Sequence, residues 1–480
     1  MNFCFVSFYD QLLKTFSESS FPDNRMIKMN KICTWLIANL IATLVLLSCS
    51  ADPKRDSDEE IKLGEPIVYV VSKNDKYGLI DGSGRERVPV SYKFIQKLSE
   101  DYYYVRDGLK WKVINADGEE VLASSVFDKY EVERLSGGLL IVKEKRGKYG
   151  AINMEGNTIV PCIYDEGFEF SEGFAAVRKS GKAGFIDTHG KEVVPFIYEW
   201  CYAFSDGIAS VCRQGKWGGI NNKGDVIIDI VYDWLDSFKG GFAYVKNNEK
   251  CGFINKKGEV VVPIMYDDFA YYRSFTNGMV YPLDQSSWRV GLVNDRGEQV
   301  APCVYNEIGV FSDGYALYRK DQETGFINKQ GETIVKRGEN FSEGLAAVWE
   351  QGKFGFVNPS FKEVIPARYT DAKEFHEGLC PVEKDGKWGV IDTEGKVVIP
   401  FEYDEIFNFM NGVAKVKKDG KVGCVNRRGS EIVPCEFRHI GDFENGSAQV
   451  CNDNDLWGLL NVKKGLVIPC SYNDINCFYW

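Results

Sequence analysis

The feature that most constrains the fold of this chain is a short sequence that returns about every 34 residues. One copy, "KWGVIDTEGKVVIPFEYDEI", runs from Lys387 to Ile406. The glycine of its Trp-Gly pair belongs to a set of eleven, here called the ruler glycines: Gly78, Gly150, Gly184, Gly218, Gly252, Gly291, Gly325, Gly355, Gly389, Gly423 and Gly458. Lys112 stands at this place in a twelfth unit, "KWKVIN". A fixed period of this size indicates that neighbouring units stack, because one unit cannot bury its apolar face alone.

The spacing of apolar residues inside a unit predicts β-strands and no helix. In "GFAAV" and "AGFID", between Gly173 and Asp187, apolar residues share one face at a period of two. Segments such as "DTHGK" place glycine between the strands and indicate hairpin turns. We therefore predict an all-β fold in which each unit forms a short meander of about three strands and the units stack into an open solenoid. A β-propeller is the alternative, although single rings usually close with about four to eight blades.

Two units depart from the pattern. The segment "ETIVKRGENFSEG", which follows Gly325, lacks the Pro-x-x-Tyr-Asp ending of the other units. The segment "YPLDQSSWRVG" lengthens a hairpin, and Gly252 and Gly291 are 39 residues apart. We expect both places to distort the array.

The N-terminal region has the layout of a secretory signal peptide. A basic start at Lys31 precedes an apolar stretch from Trp35 to Leu47, which is followed by Ser48 and Cys49. The stretch is shorter than the roughly 20 residues of a membrane-spanning helix, which disfavours an uncleaved anchor. We predict three regions: an upstream extension plus signal peptide at 1–48, a flexible polar tether at 49–66, and a repeat array of about twelve units at 67–480.

Two motifs resemble known bacterial families. The pattern of Lys-Trp-Gly, two aliphatic residues, Asn or Asp, and Pro-x-x-Tyr-Asp resembles the WG repeat, from about Val68 to Ile475. The sequence "LLSC", ending at Cys49, resembles the lipobox of bacterial lipoproteins, which implies a diacylglyceryl group on this cysteine. The charged segment that follows resembles the surface-export signals of Bacteroidetes lipoproteins. These resemblances imply a WG repeat lipoprotein, lipid-anchored at the outer membrane or cell surface.

The composition argues against several kinds of site. A net charge of −11 and a pI of about 5.2 disfavour nucleic-acid binding, which requires clustered Lys and Arg. The 14 cysteines include no CxxC pair, so we predict no metal and no cofactor. One acidic residue per unit, as in Tyr164-Asp165 and Tyr403-Asp404, fits an Asx-type turn better than a calcium site, which needs denser oxygen ligands.

Aromatic residues are the candidates for ligand contact. The position before the ruler glycine varies from Trp217 and Trp388 to Ala183 and Thr324, which favours a packing role over a binding role there. Aromatic residues outside this position are the possible ligand-binding set: Trp200, Trp234, Tyr271 and Tyr272.

The functional expectation is a non-enzymatic repeat scaffold on the cell envelope that binds another protein. Stacked repeats provide a long surface whose contacts vary while the fold is kept. Glycan binding through the aromatic set is the alternative, and an envelope hydrolase is a third reading. The three histidines, His189, His376 and His439, lie in different units without a nucleophile motif, which disfavours an enzyme.

Overall fold

The computed structural model describes residues 68–476 except Ala123, Arg146, Tyr272 and Asn445. The signal peptide, the tether and the lipidation residue Cys49 therefore lie outside the described residues. Within the described part, the chain forms twelve antiparallel β-sheets, here called blades 1 to 12 in chain order. The all-β, repeat-based prediction is confirmed.

Blades 1 to 4 come from the first third of the described chain. Blade 1 contains β1 (Val68–Lys73), β2 (Lys76–Asp81) and β3 (Glu86–Tyr92). Blade 2 contains β4 (Phe94–Lys97), β5 (Tyr102–Asp107), β6 (Lys110–Asn115) and β7 (Glu120–Leu122), followed by a 3-10 helix at Ser124–Asp128. Blade 3 contains β8 (Tyr130–Ser136), β9 (Leu139–Glu144), β10 (Tyr149–Ile152) and β11 (Thr158–Tyr164). Blade 4 contains β12 (Phe170–Ser171), β13 (Phe174–Lys179), β14 (Lys182–Asp187) and β15 (Glu192–Tyr198).

Blades 5 to 8 include the two irregular units. Blade 5 contains β16 (Trp200–Cys201), β17 (Ala209–Arg213), β18 (Lys216–Ile220) and β19 (Val226–Tyr232). Blade 6 contains β20 (Trp234–Leu235), β21 (Phe242–Asn247), β22 (Lys250–Asn255) and β23 (Val260–Tyr266). Blade 7 contains β24 (Asp268–Phe269), β25 (Met279–Val280), β26 (Pro282–Asp284), β27 (Arg289–Asn294) and β28 (Gln299–Tyr305). Blade 8 contains β29 (Glu307–Ile308), β30 (Tyr315–Lys320), β31 (Glu323–Asn328) and β32 (Thr333–Val335).

Blades 9 to 12 complete the array. Blade 9 contains β33 (Ala346–Glu350), β34 (Lys353–Val357) and β35 (Glu363–Tyr369). Blade 10 contains β36 (Asp371–Ala372), β37 (Leu379–Lys384), β38 (Lys387–Asp392) and β39 (Val397–Tyr403). Blade 11 contains β40 (Glu405–Ile406), β41 (Val413–Lys418), β42 (Lys421–Asn426) and β43 (Glu431–Phe437). Blade 12 contains β44 (His439–Ile440), β45 (Ser447–Cys451), β46 (Trp457–Asn461) and β47 (Gly465–Tyr472), and β48 (Asp474–Asn476) follows.

The ring closes through β48, which pairs with β1 and becomes the fourth strand of blade 1. Val71 lies opposite Ile475, and the N–H of Asn473 donates to the carbonyl of Ser72 at 2.9 Å. Apolar side chains of blades 12 and 1, including Leu459 and Ile80, form a buried cluster at this junction. The described chain is therefore a twelve-bladed β-propeller. The open solenoid was wrong, and the propeller alternative is correct.

The sequence predicted three strands per unit, and most blades have four. The extra strand is the short segment after the Tyr-Asp or equivalent pair, which joins the next sheet. For example, β15 ends at Tyr198 in blade 4, and Trp200 already pairs with Cys212 in blade 5. Strands of two residues are too short to show a period of two, so the sequence pattern did not predict this strand.

The irregular units alter single blades without opening the ring. The unit without the Pro-x-x-Tyr-Asp ending gives blade 8 a last strand of three residues, β32, and leaves blade 9 with three strands. The unit with the longer hairpin gives blade 7 five strands. The expected local distortions are confirmed.

Ten of the eleven ruler glycines lie beneath a bulge in the last strand of their blade, and Gly325 pairs directly with Val335 instead. In blade 4, Ala183 pairs with Tyr198 and Phe185 pairs with Val194, so three residues of β15 face Gly184 alone. A Cβ atom on Gly184 would lie 2.6 Å from the carbonyl oxygen of Val194. A close backbone approach therefore requires glycine here.

Recurring polar contacts join neighbouring blades, and two of them involve acids. The acid of a Tyr-Asp pair bridges its own blade and the next: Asp404 accepts a hydrogen bond from Lys387 of blade 10 at 2.7 Å and from the N–H of Asp419 of blade 11 at 2.7 Å. An acid in an earlier turn makes a second contact, as in Glu172, which accepts from the N–H of Gly207 in the next blade at 2.9 Å. Within residues 68–476, no helix has the length and apolar character needed to cross a membrane.

Candidate functional site

The predicted aromatic set is spread over three blades. Trp200 begins blade 5, Trp234 begins blade 6 at the equivalent position, and Tyr271 lies in blade 7 after β24. Tyr272 lies outside the described residues. Trp200 and Tyr271 are about half exposed, at 46% and 54%. The structure thus places these side chains along one section of the ring and does not bring them into one cluster.

The three described aromatics have different surroundings. The guanidinium of Arg178 lies over the Trp200 ring at 4.7 Å. Trp234 packs against Trp217, with ring centroids 5.0 Å apart, and its Nε1 donates to Asp236 at 2.6 Å. Trp234 is therefore held by packing between blades 5 and 6, whereas Trp200 keeps an open ring edge.

Two insertions in blade 7 break the repeat. One lengthens the loop between β24 and β25, and the other lengthens the hairpin between β26 and β27. Each carries an exposed aromatic residue with a left-handed backbone: Tyr271 at φ 64° and Trp288 at φ 53°, with Trp288 72% exposed. This conformation is unfavourable for a bulky side chain and is concentrated at functional sites. Sequence reasoning did not select Trp288, although the 39-residue spacing pointed to its hairpin.

The two insertions border a cleft of about 610 Å³ against blade 6. Arg273 of the first insertion and Gln285 of the second form one side, and Trp234, Lys246 and Cys251 belong to the opposite side. Among the described blades, these two insertions occur together in blade 7, so the cleft is built from a departure from the repeat.

The charged groups of the cleft are engaged with one another. Lys250 donates to Asp267 at 2.6 Å, and Lys246 donates to Glu249 at 2.8 Å. Arg273 lies over the ring of Tyr244 at 4.6 Å, and its Nη2 is 3.6 Å from Asp268 Oδ2. Lys246, Lys250 and Arg273 therefore each have a partner within the protein.

The cleft contains one thiol, on Cys251. Its sulfur lies 2.7 Å from the hydroxyl of Tyr244. Burial raises the pKa of Cys251 above its ordinary value and also raises the pKa of Tyr244. Since the thiolate is the nucleophilic form, this cysteine is poorly suited to nucleophilic chemistry at neutral pH.

Other reactive side chains are dispersed. The three histidines lie in three blades: His189 in the β14–β15 turn, His376 with Nε2 3.7 Å from Glu374, and His439 edge-on to Trp457. The described cysteines are free thiols, at Cys162, Cys201, Cys212, Cys251, Cys303, Cys380, Cys424, Cys435, Cys451 and Cys470. Among the described residues, no three His, Cys, Asp or Glu side chains are grouped as a metal site.

The last strands of the blades carry exposed apolar side chains on one section of the ring. In blades 3 to 7, the penultimate residue of the last strand is apolar, and we call this set the apolar row: Ile163, Ile197, Val231, Met265 and Val304. The first four are 39 to 59% exposed. In blades 9 to 12 and blade 1, the same position is polar: Arg368, Glu402, Glu436, Ser471 and Ser91.

Blades 2 and 8 separate these two sections, because their last strands, β7 and β32, have only three residues. Each section therefore contains five consecutive blades. Because the penultimate position is equivalent in every full-length last strand, the apolar residues follow one another along one half of the ring. Sequence reasoning missed this row, since its signal is a difference between repeats at a single position.

Comparison with protein families gives one match. The model of the WG containing repeat matches ten segments: residues 77–111, 149–182, 184–217, 217–251, 252–281, 291–323, 325–353, 354–388, 388–421 and 423–454. The segment that begins with Lys112 and the final unit fall outside these matches, although both form blades. Comparison with curated proteins gives no significant match.

Solved structures resemble the chain only distantly. A eukaryotic initiation factor is 10% identical over 63% of this chain and 96% of its own, with a TM-score of 0.31. Kluyveromyces lactis Hsv2 is 11% identical over 49% of this chain and 95% of its own, with a TM-score of 0.28. The extracellular domain of a putative hybrid two component system from B. thetaiotaomicron is 10% identical over 86% and 71%, with a TM-score of 0.26. Scores of this size do not transfer function, whereas the ten family matches cover most of the chain: it belongs to the WG containing repeat family.

Proposed function

We propose that this propeller is a non-enzymatic scaffold of the cell envelope that binds another protein. The observation that carries the proposal is the apolar row on blades 3 to 7. Four consecutive blades, 3 to 6, expose an apolar side chain at this position, and exposed apolar surface marks interaction sites when it is concentrated in one region. The polar residues at the same position in blades 9 to 12 and 1 indicate that the fold itself does not need apolar side chains there.

The chemistry of the cleft supports a binding role over a catalytic role. Its Lys, Arg, Asp and Glu side chains pair with each other, and its thiol has a raised pKa. An envelope hydrolase, the third reading, requires an acid and a base that converge on a substrate. An activity abolished by one side-chain change in the cleft, with the fold intact, would establish that reading.

Anchoring to the envelope rests on the sequence. The lipobox-like "LLSC" and the charged segment after it support a lipoprotein of Bacteroidetes type, lipidated at Cys49 and held at the outer membrane or cell surface. Several acyl chains on one N-terminus give stable membrane binding, which a single chain does not. We expect a Cys49→Ala variant to lose lipid labelling and to leave the membrane fraction. A variant that stays membrane-bound at unchanged size would contradict the anchor.

The protein partner is tested with substitutions at the apolar row. Val231→Glu and Met265→Glu introduce the residue that Glu402 and Glu436 already provide at the same position. We expect the double variant to fold normally and to lose envelope proteins that co-purify with the intact chain after cross-linking. The matched control is Ser91→Glu with Ser471→Glu in the polar half, which we expect to retain them. Equal capture by both double variants would contradict the proposal.

Glycan binding is the second candidate, and the exposed aromatic residues favour it. Trp200, Tyr271 and Trp288 are 46%, 54% and 72% exposed, and aromatic faces pack well against sugar rings. A glycan array with the intact chain and a Trp288→Ala variant separates the two candidates. Sugars bound by the intact chain and lost on this substitution would support the glycan reading.

A further inference from the structure

Ten of the twelve blades end in a last strand of seven or eight residues. Nine of these strands carry an exposed proline three residues before their end: Pro89, Pro161, Pro195, Pro263, Pro302, Pro366, Pro400, Pro434 and Pro469. Proline has no N–H and blocks the addition of a further strand to a sheet edge. In β19 of blade 5, Asp229 stands at this position.

The edge of β19 is unpaired within the described residues, where its sheet has the order β16, β17, β18, β19. Ile228 pairs with Gly219 and Tyr232 with Trp217, so residues 229–231 bulge opposite Gly218. Nine equivalent strands keep this geometry with a proline, which shows that the sheet does not need the N–H at this position. The N–H of Asp229 is therefore spare for hydrogen bonding to an additional strand.

The side chains of β19 also suit strand addition. Val226 and Val231 are 51% and 52% exposed, and Ile227 is 39% exposed. β-branched residues favour extended backbone and pack against cross-strand neighbours. Blade 5 is the middle blade of the apolar row, so this edge lies at the centre of the surface described above.

We propose that β19 is an acceptor edge, to which an extended segment of a partner protein adds as a further strand of blade 5. The inference rests on the proposed protein-binding function and names its docking edge. Backbone hydrogen bonds supply affinity in this mode of recognition, and alternate side chains supply specificity.

Asp229 defines the chemistry of the partner. Its side chain is exposed and has no ion pair to another described residue, in a chain of net charge −11. A Lys or Arg opposite this carboxylate, between apolar residues, complements the edge. A second copy of the chain fits less well, because symmetric antiparallel pairing about Asp229 places two carboxylates directly opposite each other.

The test uses the full chain and synthetic probes. The first probe is a fluorescein-labelled nine-residue peptide of alternating valine and threonine with a central lysine. A second peptide carries a central glutamate, and a third carries prolines that remove its N–H groups. We expect the lysine peptide to bind by fluorescence anisotropy, the glutamate peptide to bind about five-fold more weakly, and the proline peptide to show no binding.

The decisive variant is Asp229→Pro, which gives β19 the residue found in nine other blades. We expect this variant to keep the circular dichroism spectrum of the intact chain. We expect its affinity for the lysine peptide to be at least ten-fold lower. Asp229→Lys is a second variant at the same edge, in case the proline affects folding, and we expect it to bind the glutamate peptide more tightly than the lysine peptide. Pro195→Asp in blade 4 is the matched control, and we expect it to bind at least as well as the intact chain. Hydrogen exchange of residues 226–232 should slow when the lysine peptide is added.

Three results would overturn the inference. The first is equal affinity of the intact chain and Asp229→Pro for the lysine peptide. The second is equal affinity of the intact chain for the lysine peptide and the glutamate peptide. The third is a dimer in sedimentation velocity that Asp229→Pro abolishes, since the occupant would then be a second copy. If Met265→Glu removes the envelope partner while Asp229→Pro leaves it bound, the scaffold proposal stands and the β19 inference fails.

Discussion

At the scale of single residues, glycine is needed where the last strand bulges over its neighbour. Gly389 illustrates this: a Cβ atom there would lie 2.7 Å from the carbonyl oxygen of Ile399. Lys112 replaces the glycine in one unit, and the absence of a close backbone approach explains this exception. Within the described residues of blade 2, β7 pairs with Val113 and Ile114 and not with Lys112, so a long side chain fits there. The aromatic position before the glycine has no comparable restriction and varies freely.

We expect Gly389→Ala to lower the free energy of unfolding by about 1–3 kcal/mol, because the added methyl group forces the backbone of β39 to move. Lys112→Ala is the control, and we expect a change within about 0.5 kcal/mol, since this side chain is tolerated without a covering strand. Urea unfolding followed by circular dichroism measures both. A neutral Gly389→Ala would show that the close approach does not constrain the fold.

At the scale of elements, the acids of the Tyr-Asp pairs connect each blade to the next. Hydrogen bonds from Lys387 and from the N–H of Asp419 hold the pKa of Asp404 below its ordinary value. Asp165 has the same type of partners, Lys148 and the N–H of Gly181, and its pKa is also lowered. These carboxylates therefore serve as contacts between blades, so the predicted Asx-type turn was wrong for Asp165 and Asp404.

A lowered folded-state pKa gives stability that is present above the unfolded pKa and lost as pH falls through the folded pKa. We therefore expect Asp404→Asn to reduce the urea midpoint at pH 7. The difference from the intact chain should shrink as pH falls below the ordinary aspartate range, because protonation removes the same charge from Asp404. Urea titrations at pH 7 and at acidic pH measure this. A difference that is constant with pH would mean that the charge of Asp404 contributes nothing.

The sequence predicted the elements better than it predicted the site. Alternation and glycine turns revealed the three longer strands of each unit, and the altered units were located from "KRGEN" and "YPLDQSSWRVG". The two-residue strand at Trp200–Cys201 was too short to show a pattern. The cleft around Arg273 and the exposed Trp288 depend on how two insertions fold against blade 6, which spacing alone does not determine.

At the scale of the whole molecule, closure of the ring depends on two ends that are far apart in sequence. β1 and β48 pair across about 400 residues, and Asn74 donates from its N–H to Asn473 Oδ1 at 3.0 Å. Repeat spacing describes only neighbours, so it favoured an open array and carried no information about contact between the ends. The closed ring also places the apolar row and the polar penultimate residues on separate halves of one molecule, divided by blades 2 and 8.

Hydrogen exchange of β1 tests the closed ring most directly. In the intact chain, some backbone N–H groups of Val70, Val71 and Ser72 point away from β2 and towards β48. Pairing with β48 should slow the hydrogen exchange of these amides. A chain that ends at Tyr472 lacks β48, and we expect faster exchange in β1 together with a lower thermal midpoint. Unchanged exchange in β2 of this variant controls for general unfolding. If β1 already exchanges rapidly in the intact chain, and truncation changes neither its exchange nor the midpoint, the ring is open and the account is wrong.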